Sequence, residues 1–261
     1  MSELDIVIPV YEEGEHILLV LDALRRSVAT PFRVLICYDH DGDSTLPAVR
    51  GYRGVEITLV KNQGHGAHGA VMSGLAASTA PAVLVMPADD TDNAPIIDGM
   101  VARWGAGCEI VVASRFMPGG RMEGCPWLKN LLVRIGNAAL YRLARVPTRD
   151  ATNGFRLFSR RLWGSVVIES TAGFAYSIEL LVKCHRLGWR VDEMPAVWFE
   201  RRVRRSRFRV LAWLPLYLRW VGYAFATTYL RRSAATVKLR ASGVLPQPVA
   251  VPAASELLWV Q

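Results

Sequence analysis

The chain has 261 residues, 51% of them apolar, and 31 lysines and arginines against 23 acidic residues give a net charge of +8. This length can bury a full core, and we expect one large domain. The charge suits phosphorylated substrates, anionic lipid headgroups or nucleic acid, and does not choose among them. Four scattered cysteines without a CxxC pair argue against a zinc site and a disulfide framework, so a reducing compartment is expected.

The N-terminal residues carry acid and lead directly into an apolar run, unlike a secretory signal peptide. From there, short apolar runs alternate with segments of helical periodicity. Strands are predicted at 6–10, 33–38, 55–60, 83–86 and 109–113, and helices at 13–27, 67–78 and 94–104. This alternation predicts a doubly wound α/β sheet of parallel strands, whose ligands bind beyond the carboxyl ends of the strands.

Three carboxylates, those of Asp89, Asp90 and Asp92, follow the fourth predicted strand. Hard divalent ions such as Mg²⁺ and Mn²⁺ prefer oxygen ligands and usually bind through one or two carboxylates plus substrate phosphates. The loop is therefore a candidate metal site. The alternative is an acidic turn that ends the strand and begins a helix, because aspartate favours both positions.

The second half is less regular, with helices predicted near 128–143 and 177–187, a turn at 150–156 and a basic stretch at 200–209. Residues 211–229 are mostly aromatic and aliphatic, with Arg219 as the only charge. Pro215 and Arg219 argue against a spanning helix, so we predict an interfacial helix. Four aromatic residues suit the headgroup boundary: Trp213, Tyr217, Trp220 and Tyr223. The alternative is a helix packed on the domain or in a dimer contact.

Residues 64–69, GHGAHG, match the dinucleotide-binding pattern G-x-G-x-x-G, follow a strand and precede Asp89 by about 20 residues. At face value this pattern is typical of an oxidoreductase. However, it follows the third strand rather than the first, and it leaves the other polar loops without a role. The glycines can instead let a helix begin close to the sheet. We interpret His65 and His68 as loop residues, because they are a weak metal-ligand set.

Several segments, in order, resemble the family 2 glycosyltransferases, most closely the dolichyl-phosphate mannose synthase branch of polyprenyl-phosphate glycosyltransferases. The resemblance covers roughly residues 4–209, and its order and spacing are more specific than the glycine pattern. It implies a GT-A fold, a Rossmann-like, mostly parallel sheet with helices on both faces. The segments are 6–15 (IVIPVYEEGE), 62–66 (NQGHG), 86–92 (MPADDTD), 113–116 (ASRF), 150–156 (DATNGFR), 173–179, 188–195 and 201–207 (RRVRRSR).

By motif position, the resemblance implies nucleotide contacts from Pro9, Tyr11 and Glu13, and an acidic residue near the base or ribose at Asp39. It also implies a metal, Mg²⁺ or Mn²⁺, at Asp89 with Asp90 or Asp92. The family motif D-x-D has its first acid where this chain has Pro87.

The resemblance places four basic residues around the donor diphosphate: Arg115, Lys129, Arg201 and Arg207. The family's usual R-x-x-G-x-S-K segment is altered here, because Arg204 replaces its glycine and Arg207 its lysine. Negative charge develops on the leaving diphosphate, so a cation and fixed basic donors would lower the barrier. Asp89, Arg115, Arg201 and Arg207 are thus expected to act in catalysis.

Family 2 enzymes are inverting, which implies direct displacement by the acceptor. A lipid phosphate is already anionic and needs no strong base, whereas a sugar hydroxyl does. Asp150 is the candidate base for a hydroxyl acceptor. The alternative is a turn residue that bonds its own backbone.

We therefore expect a catalytic domain at 1–208, an interfacial or membrane-associated helix at 209–232 and a tail at 233–261. The expected activity is hexose transfer from GDP-mannose or a UDP-hexose to a polyprenyl phosphate. The enzyme would lie in the cytoplasm, peripheral to the inner face of the cell membrane, without binding nucleic acid. A saccharide acceptor is the nearest alternative. A dinucleotide-binding oxidoreductase and a sugar-phosphate nucleotidyltransferase are alternatives from other classes.

Overall fold

A computed structural model of the protein describes residues 2–199 and 210–241. The predicted basic stretch at 200–209 and most of the predicted tail lie outside these ranges. The described strands are β1 (Leu4–Pro9), β2 (Phe32–Tyr38), β3 (Ile57–Lys61), β4 (Ala82–Val85), β5 (Ile110–Ser114), β6 (Arg121–Glu123), β7 (Arg156–Ser159), β8 (Val191–Pro195) and β9 (Val197–Phe199). The described α-helices are α1 (Ile17–Ser27), α2 (Thr45–Gly51), α3 (Gly66–Ala77), α4 (Ile97–Gly105), α5 (Trp127–Arg142), α6 (Arg160–Ser165), α7 (Ala175–Arg186) and α8 (Val210–Tyr229).

Seven strands form the central sheet in the order β3-β2-β1-β4-β7-β5-β8, and β6 pairs with β9 in a separate two-stranded sheet. Every pairing is parallel except those of β7, which runs antiparallel to β4 and β5. The mostly parallel sheet predicted from the sequence is confirmed. Because β7 runs the other way, its first residues lie at the same edge as the last residues of β4 and β5.

The central strands are buried on both faces, which explains why they read as continuous apolar runs rather than alternating ones. All residues of β4 and β5 are buried. One hydrophobic cluster contains the inner faces of α1 and α4, and another contains those of α3 and α7. Helices therefore cover both sides of the sheet, as expected for a doubly wound fold.

Helix α3 approaches the sheet closely at Gly74. A Cβ atom there would lie 2.6 Å from a methyl carbon of Val7 and 2.7 Å from the sulfur of Cys37. Those distances are shorter than any tolerable packing contact, so the position requires glycine. Gly74 lies in the body of α3, beyond the segment 64–69, so this contact fixes the distance between the middle of the helix and the sheet.

Helix α8 packs on the domain, which is the alternative considered for residues 211–229. Trp220 is only 2% exposed, belongs to the core cluster that α7 contributes to, and donates an indole N–H to Ser170 Oγ at 3.0 Å. Tyr217 and Tyr223 are partly buried against the same cluster, and the side chain of Trp213 lies outside the described residues. These three aromatic residues are therefore used in packing rather than presented to a headgroup boundary.

The core continues past α8, because Val237 in the predicted tail belongs to the same cluster as Trp220 and Ala224. Within the described ranges, no helix combines the length and apolarity needed to cross a bilayer.

Candidate functional site

The site lies at the point where the strand order reverses direction. From β1 the chain proceeds outward through β2 to β3, and then returns to the other side of β1 to form β4. In open α/β sheets, the loops after two such strands diverge and leave a crevice that binds ligands. Here those loops are 10–13 after β1 and 86–92 after β4, where the sequence predicted nucleotide and metal contacts.

The loop after β1 is fixed by the loop after β2. The buried Asp43 carboxylate accepts hydrogen bonds from the backbone N–H of Glu12 at 3.1 Å and of Thr45 at 2.8 Å, and Thr45 Oγ1 accepts one from Glu13 N–H at 3.0 Å. Glu12 has a φ of 55°, in the left-handed region that non-glycine residues rarely adopt. These bonds hold the predicted contacts Tyr11 and Glu13 beside the β2 loop, where the Tyr11 ring meets the edge of His40 at 6.0 Å between centroids.

Asp39, predicted near the base or ribose, is held by Asn62. The Asn62 side-chain amide donates to Asp39 Oδ1 at 2.7 Å and to the Gly66 carbonyl at 3.2 Å. Burial raises the pKa of Asp39 above its ordinary value, against the lowering effect of the Asn62 bond. The carboxylate is therefore oriented and partly desolvated at the end of β2, which is an arrangement suited to hydroxyl donors such as ribose.

The glycines of the G-x-G-x-x-G match leave room for the Asn62 side chain that holds Asp39. A Cβ on Gly69 would lie 2.6 Å from Asn62 Oδ1 and 2.9 Å from a backbone carbon of Gly64, while Gly66 has a φ of 75°. Asn62 Oδ1 also accepts the Gly64 N–H at 2.8 Å. Contacts within the chain thus account for these glycines without a dinucleotide.

His68 lies in α3, so its assignment to a loop from the sequence is wrong. Its side chain is buried against the edge of Tyr176, and burial lowers its pKa to about 4. The imidazole is therefore neutral at physiological pH.

The three carboxylates after β4 have different environments. Asp90 accepts hydrogen bonds from the backbone N–H of Asp92 at 3.2 Å and of Asn93 at 3.0 Å, and from the Asn93 side chain at 2.8 Å. Burial raises its pKa. Asn93 in turn donates to the Val197 carbonyl and accepts the Val197 N–H, at 2.7 and 2.9 Å. Asp90 therefore anchors the loop to β9, whereas Asp89 and Asp92 are exposed.

Asp89, Asp90 and Asp92 do not converge as a three-ligand group. Among the residues that the structure describes, the one group of three or more His, Cys, Asp or Glu whose ligand atoms lie within 4.8 Å of one another is Glu12, His40 and Asp43. His40 Nε2 lies 3.2 Å from Glu12 Oε1. Since Asp43 already accepts two backbone N–H groups, it is better suited to shape the loop than to coordinate an ion. The exposed Asp89 carboxylate, beside the crevice, fits the single-carboxylate attachment of a phosphate-bound Mg²⁺ or Mn²⁺.

Arg115 and Asp150 form a buried ion pair between the end of β5 and the start of β7. Arg115 Nε lies 2.7 Å from Asp150 Oδ2 and Nη2 lies 2.8 Å from Oδ1, and the Arg115 backbone N–H donates to Oδ2 at 3.0 Å. Burial alone would raise the pKa of Asp150, but the charge and hydrogen bonds of Arg115 outweigh it and keep the pKa below its ordinary value. The carboxylate, the candidate base for a hydroxyl acceptor, is fully buried, and it orients Arg115.

Residues 150–156 form hydrogen bonds with three elements, β5, α5 and α7. The Asn153 side chain donates to the Ala113 carbonyl at 2.6 Å, and the Asn137 side-chain Oδ1 accepts the Ala151 N–H at 2.7 Å. The buried Arg156 donates to the carbonyls of Ser177 and Asp150 at 2.6 and 3.2 Å, and burial lowers its pKa to about 10. Sequence reasoning did not single out Asn137, because an asparagine inside a helical run carries no local signal of this contact.

The remaining predicted basic residues lie towards β9 or outside the described residues. Lys129, near the start of α5, places its Nζ 5.5 Å from the centre of the Trp198 ring. Arg201 and Arg207 fall within 200–209, outside the described residues, so their placement near the diphosphate stays a prediction.

Comparison with known proteins agrees with this geometry. The family model described as glycosyl transferase family 2 matches residues 5–165. The chain is 24% identical over 232 residues to polyprenol monophosphomannose synthase of Mycolicibacterium smegmatis, covering 80% of this chain and 85% of that protein. It is 28% identical over 204 residues to dolichyl-phosphate hexose transferase of Haloferax volcanii, covering 77% of this chain and 84% of that protein.

The solved structures add support for the fold. Glucosyl-3-phosphoglycerate synthase from Mycobacterium tuberculosis, in complex with Mn²⁺, UDP-glucose and phosphoglyceric acid, has a TM-score of 0.62 with this chain. It is 16% identical, and the match covers 95% of this chain and 90% of that one. A likeness at that identity shows a shared GT-A-type fold. With the family model matching most of the chain, the protein belongs to glycosyl transferase family 2 and is a glycosyltransferase.

Proposed function

We propose that the enzyme transfers a hexose, with inversion, from a nucleotide-diphosphate sugar to a polyprenyl phosphate at the inner face of the cell membrane. The observation that carries the proposal is the burial of Asp150. A hydroxyl acceptor requires a base, and the candidate carboxylate is fully occupied by Arg115. A phosphate acceptor is already an anion and can attack without proton removal.

The donor would occupy the crevice between the β1 and β4 loops. Asp39, oriented by Asn62, would accept hydrogen bonds from the nucleoside, and the loop containing Tyr11 and Glu13 would line its other side. Both sides are fixed by hydrogen bonds before any ligand arrives. Such preorganisation reduces the free-energy cost of ordering the site on binding.

The diphosphate would lie towards Asp89, which would hold Mg²⁺ or Mn²⁺, with Asp92 as the second exposed carboxylate of that loop. When bound, the ion would offset negative charge on the leaving diphosphate. Among the basic residues, Lys129 of α5, Arg201 and Arg207 would donate to the diphosphate oxygens. Arg115, whose charge is offset by Asp150, would keep the 150–156 turn in place beside the diphosphate.

The relatives support this choice of acceptor. Two curated relatives, at 24% and 28% identity, are named for transfer to polyprenol or dolichyl phosphate. The solved neighbour with phosphoglyceric acid bound shows that a small phosphorylated acceptor is compatible with the fold class. Phosphoglyceric acid is therefore the second acceptor to test.

The test measures donor and acceptor separately. Calorimetric titration with GDP, UDP, GDP-mannose, UDP-glucose and NAD, each with Mn²⁺ and with chelator, is expected to show metal-linked binding of one nucleotide series. Transfer of labelled hexose from that donor is then measured with polyprenyl phosphate in detergent, a free saccharide and phosphoglyceric acid. Label in the lipid phase supports the proposal. Label only in the saccharide or phosphoglyceric acid, or binding of NAD alone, would overturn it.

A further inference from the structure

Helix α5 is apolar on two opposite sides. One side, with Asn137 and Leu140, is buried against the core. The other side is a stripe of large apolar side chains at positions i, i+1, i+4, i+5 and i+8, which span about 140° of arc at 100° per residue. We call these residues the α5 stripe: Trp127, Leu128, Leu131, Leu132 and Ile135, exposed by 76%, 51%, 46%, 59% and 57%.

An exposed stripe of this kind indicates a partner. Scattered exposed leucines are ordinary, but a contiguous row of five large apolar side chains on one helix face is not. The stripe lies opposite the side that faces the core, so repacking of the helix on its own sheet cannot bury it. A partner other than the protein's own sheet is therefore needed to cover it.

The charge around the stripe indicates which kind of partner covers it. Between Glu123 and Asp150 the chain has five basic residues and no acidic one: Lys129, Arg134, Arg142, Arg145 and Arg149. Arg134, Arg142 and Arg149 also line a cavity of about 260 Å³ together with Phe116 and Tyr141. An apolar helix face flanked by arginine and lysine is typical of helices that lie in the interface of an anionic bilayer.

A second copy of the chain fits less well. In a two-fold symmetric contact each patch meets itself, so Arg134, Arg142 and Arg145 of one copy would face the same residues of the other, while Arg149 is already paired with Glu193. Like charges brought together at an interface cost free energy. An anionic lipid surface has the opposite charge and no such cost.

We infer that the α5 stripe docks the enzyme on an anionic bilayer, with Arg134, Arg142 and Arg145 contacting lipid phosphates. Helix α8 was the element expected in this role, but its Trp220 and Tyr223 are used in packing. This inference rests on the membrane location in the proposed function and names the helix that contacts the membrane. Its test measures binding to vesicles and does not require an assay of sugar transfer.

The test uses the full chain and vesicles of phosphatidylcholine with about one third phosphatidylglycerol, compared with phosphatidylcholine alone. Leu132→Glu combined with Ile135→Glu is expected to weaken sedimentation with anionic vesicles by at least about tenfold, because both side chains lose their place in the acyl region. The matched control is Leu19→Glu in α1, 56% exposed and on the other face of the sheet, which should bind like the wild type. Wild-type binding should also be much weaker on phosphatidylcholine alone.

Two outcomes would overturn the inference. The first is unchanged vesicle binding by the double variant. The second is a wild-type dimer in sedimentation equilibrium that the double variant converts to monomer, with no vesicle binding by either. Trp127→Ser provides a milder variant, expected to weaken binding severalfold, if the double variant does not fold. Nucleotide titration of the same variants should match the wild type, which separates loss of docking from failure of the proposed donor site.

Discussion

Arg115 and Asp150 meet side-on, with Nε 2.7 Å from Oδ2 and Nη2 2.8 Å from Oδ1, and the Asp150 side chain is wholly buried. Such a pair joins the end of β5 to the turn that precedes β7. Removing one partner leaves the other charge buried without compensation, which is more costly than losing an exposed pair.

Asp150→Asn is therefore expected to lower the free energy of unfolding by about 3 kcal/mol or more. The exposed pair of Arg121 and Glu123 offers a matched control, and Arg121→Gln should change stability by no more than about 0.5 kcal/mol. Urea unfolding of both variants checks the difference. Equal midpoints would mean that the Arg115–Asp150 pair does not hold this turn.

Gly69→Ala is expected to impair nucleotide binding, because the new Cβ would lie 2.6 Å from Asn62 Oδ1 and displace the side chain that orients Asp39. Calorimetric titration with the preferred nucleotide should show affinity reduced about tenfold or more, the effect of losing a hydrogen bond to a charged group. Gly136→Ala in α5 is the control, since its Cβ would meet nothing within 4 Å. That change should leave affinity intact and raise stability by about 0.5–1 kcal/mol. If Gly69→Ala binds the nucleotide with wild-type affinity, the glycine loop does not contribute to the nucleotide site.

Asp89→Asn and Asp90→Asn should have different effects, although the residues are adjacent. Asp89 is exposed, so its substitution should abolish the Mn²⁺-dependent part of donor binding and lower the melting temperature less than Asp90→Asn does. Asp90 accepts three hydrogen bonds inside the loop, so its substitution should cost about 1–3 kcal/mol of stability. Donor titrations with metal and with chelator, together with thermal melts, distinguish them. If only Asp90→Asn loses the Mn²⁺-dependent part of donor binding, then Asp90 rather than Asp89 holds the metal.

The buried His68 predicts a pH dependence of stability. Its pKa is lowered from 6.5 to about 4 by burial, so between those values the unfolded chain binds a proton that the folded protein does not. Stability should then decrease as pH falls from 6.5 to about 4, by about 3 kcal/mol for this group. In His68→Gln that contribution should be absent. Urea unfolding of both proteins at pH 7 and near pH 4 tests this, and parallel pH profiles would contradict it.

The apolar runs were enough to locate the strands that carry the site. Because parallel strands are buried on both faces, each appears in the sequence as an unbroken apolar run, and the predicted run 83–86 corresponds to Ala82–Val85 in the structure. Since ligand loops follow the carboxyl ends of such strands, the polar clusters around Tyr11, Asp39 and Asp89 could be assigned to one edge of the sheet from the sequence alone.

Pairing direction and shared packing could not be predicted in the same way. The segment 150–156 was predicted as a turn, and its continuation into an antiparallel strand depends on the hydrogen bonds that β4 and β5 offer to Arg156–Ser159. The short strands β8 and β9 and the helix α2 were likewise not predicted. With three and seven residues, β9 and α2 are too short to show a period of their own, and β8 contains two acidic residues and so does not form an apolar run.

The sequence by itself determined the fold class, the edge of the sheet that holds the site and the family to which the chain belongs. Only the tertiary structure decided which charged and aromatic side chains interact within the protein. Asp90 accepts hydrogen bonds from Asn93, Asp150 forms an ion pair with Arg115, and Trp220 is buried in the core. The tertiary structure also decided that the apolar side chains of α5, such as Leu132, face outward. The physical reason is that the sequence shows which side chains are apolar or charged. The groups that neutralise or cover those side chains are distant in the chain, and only folding brings them together.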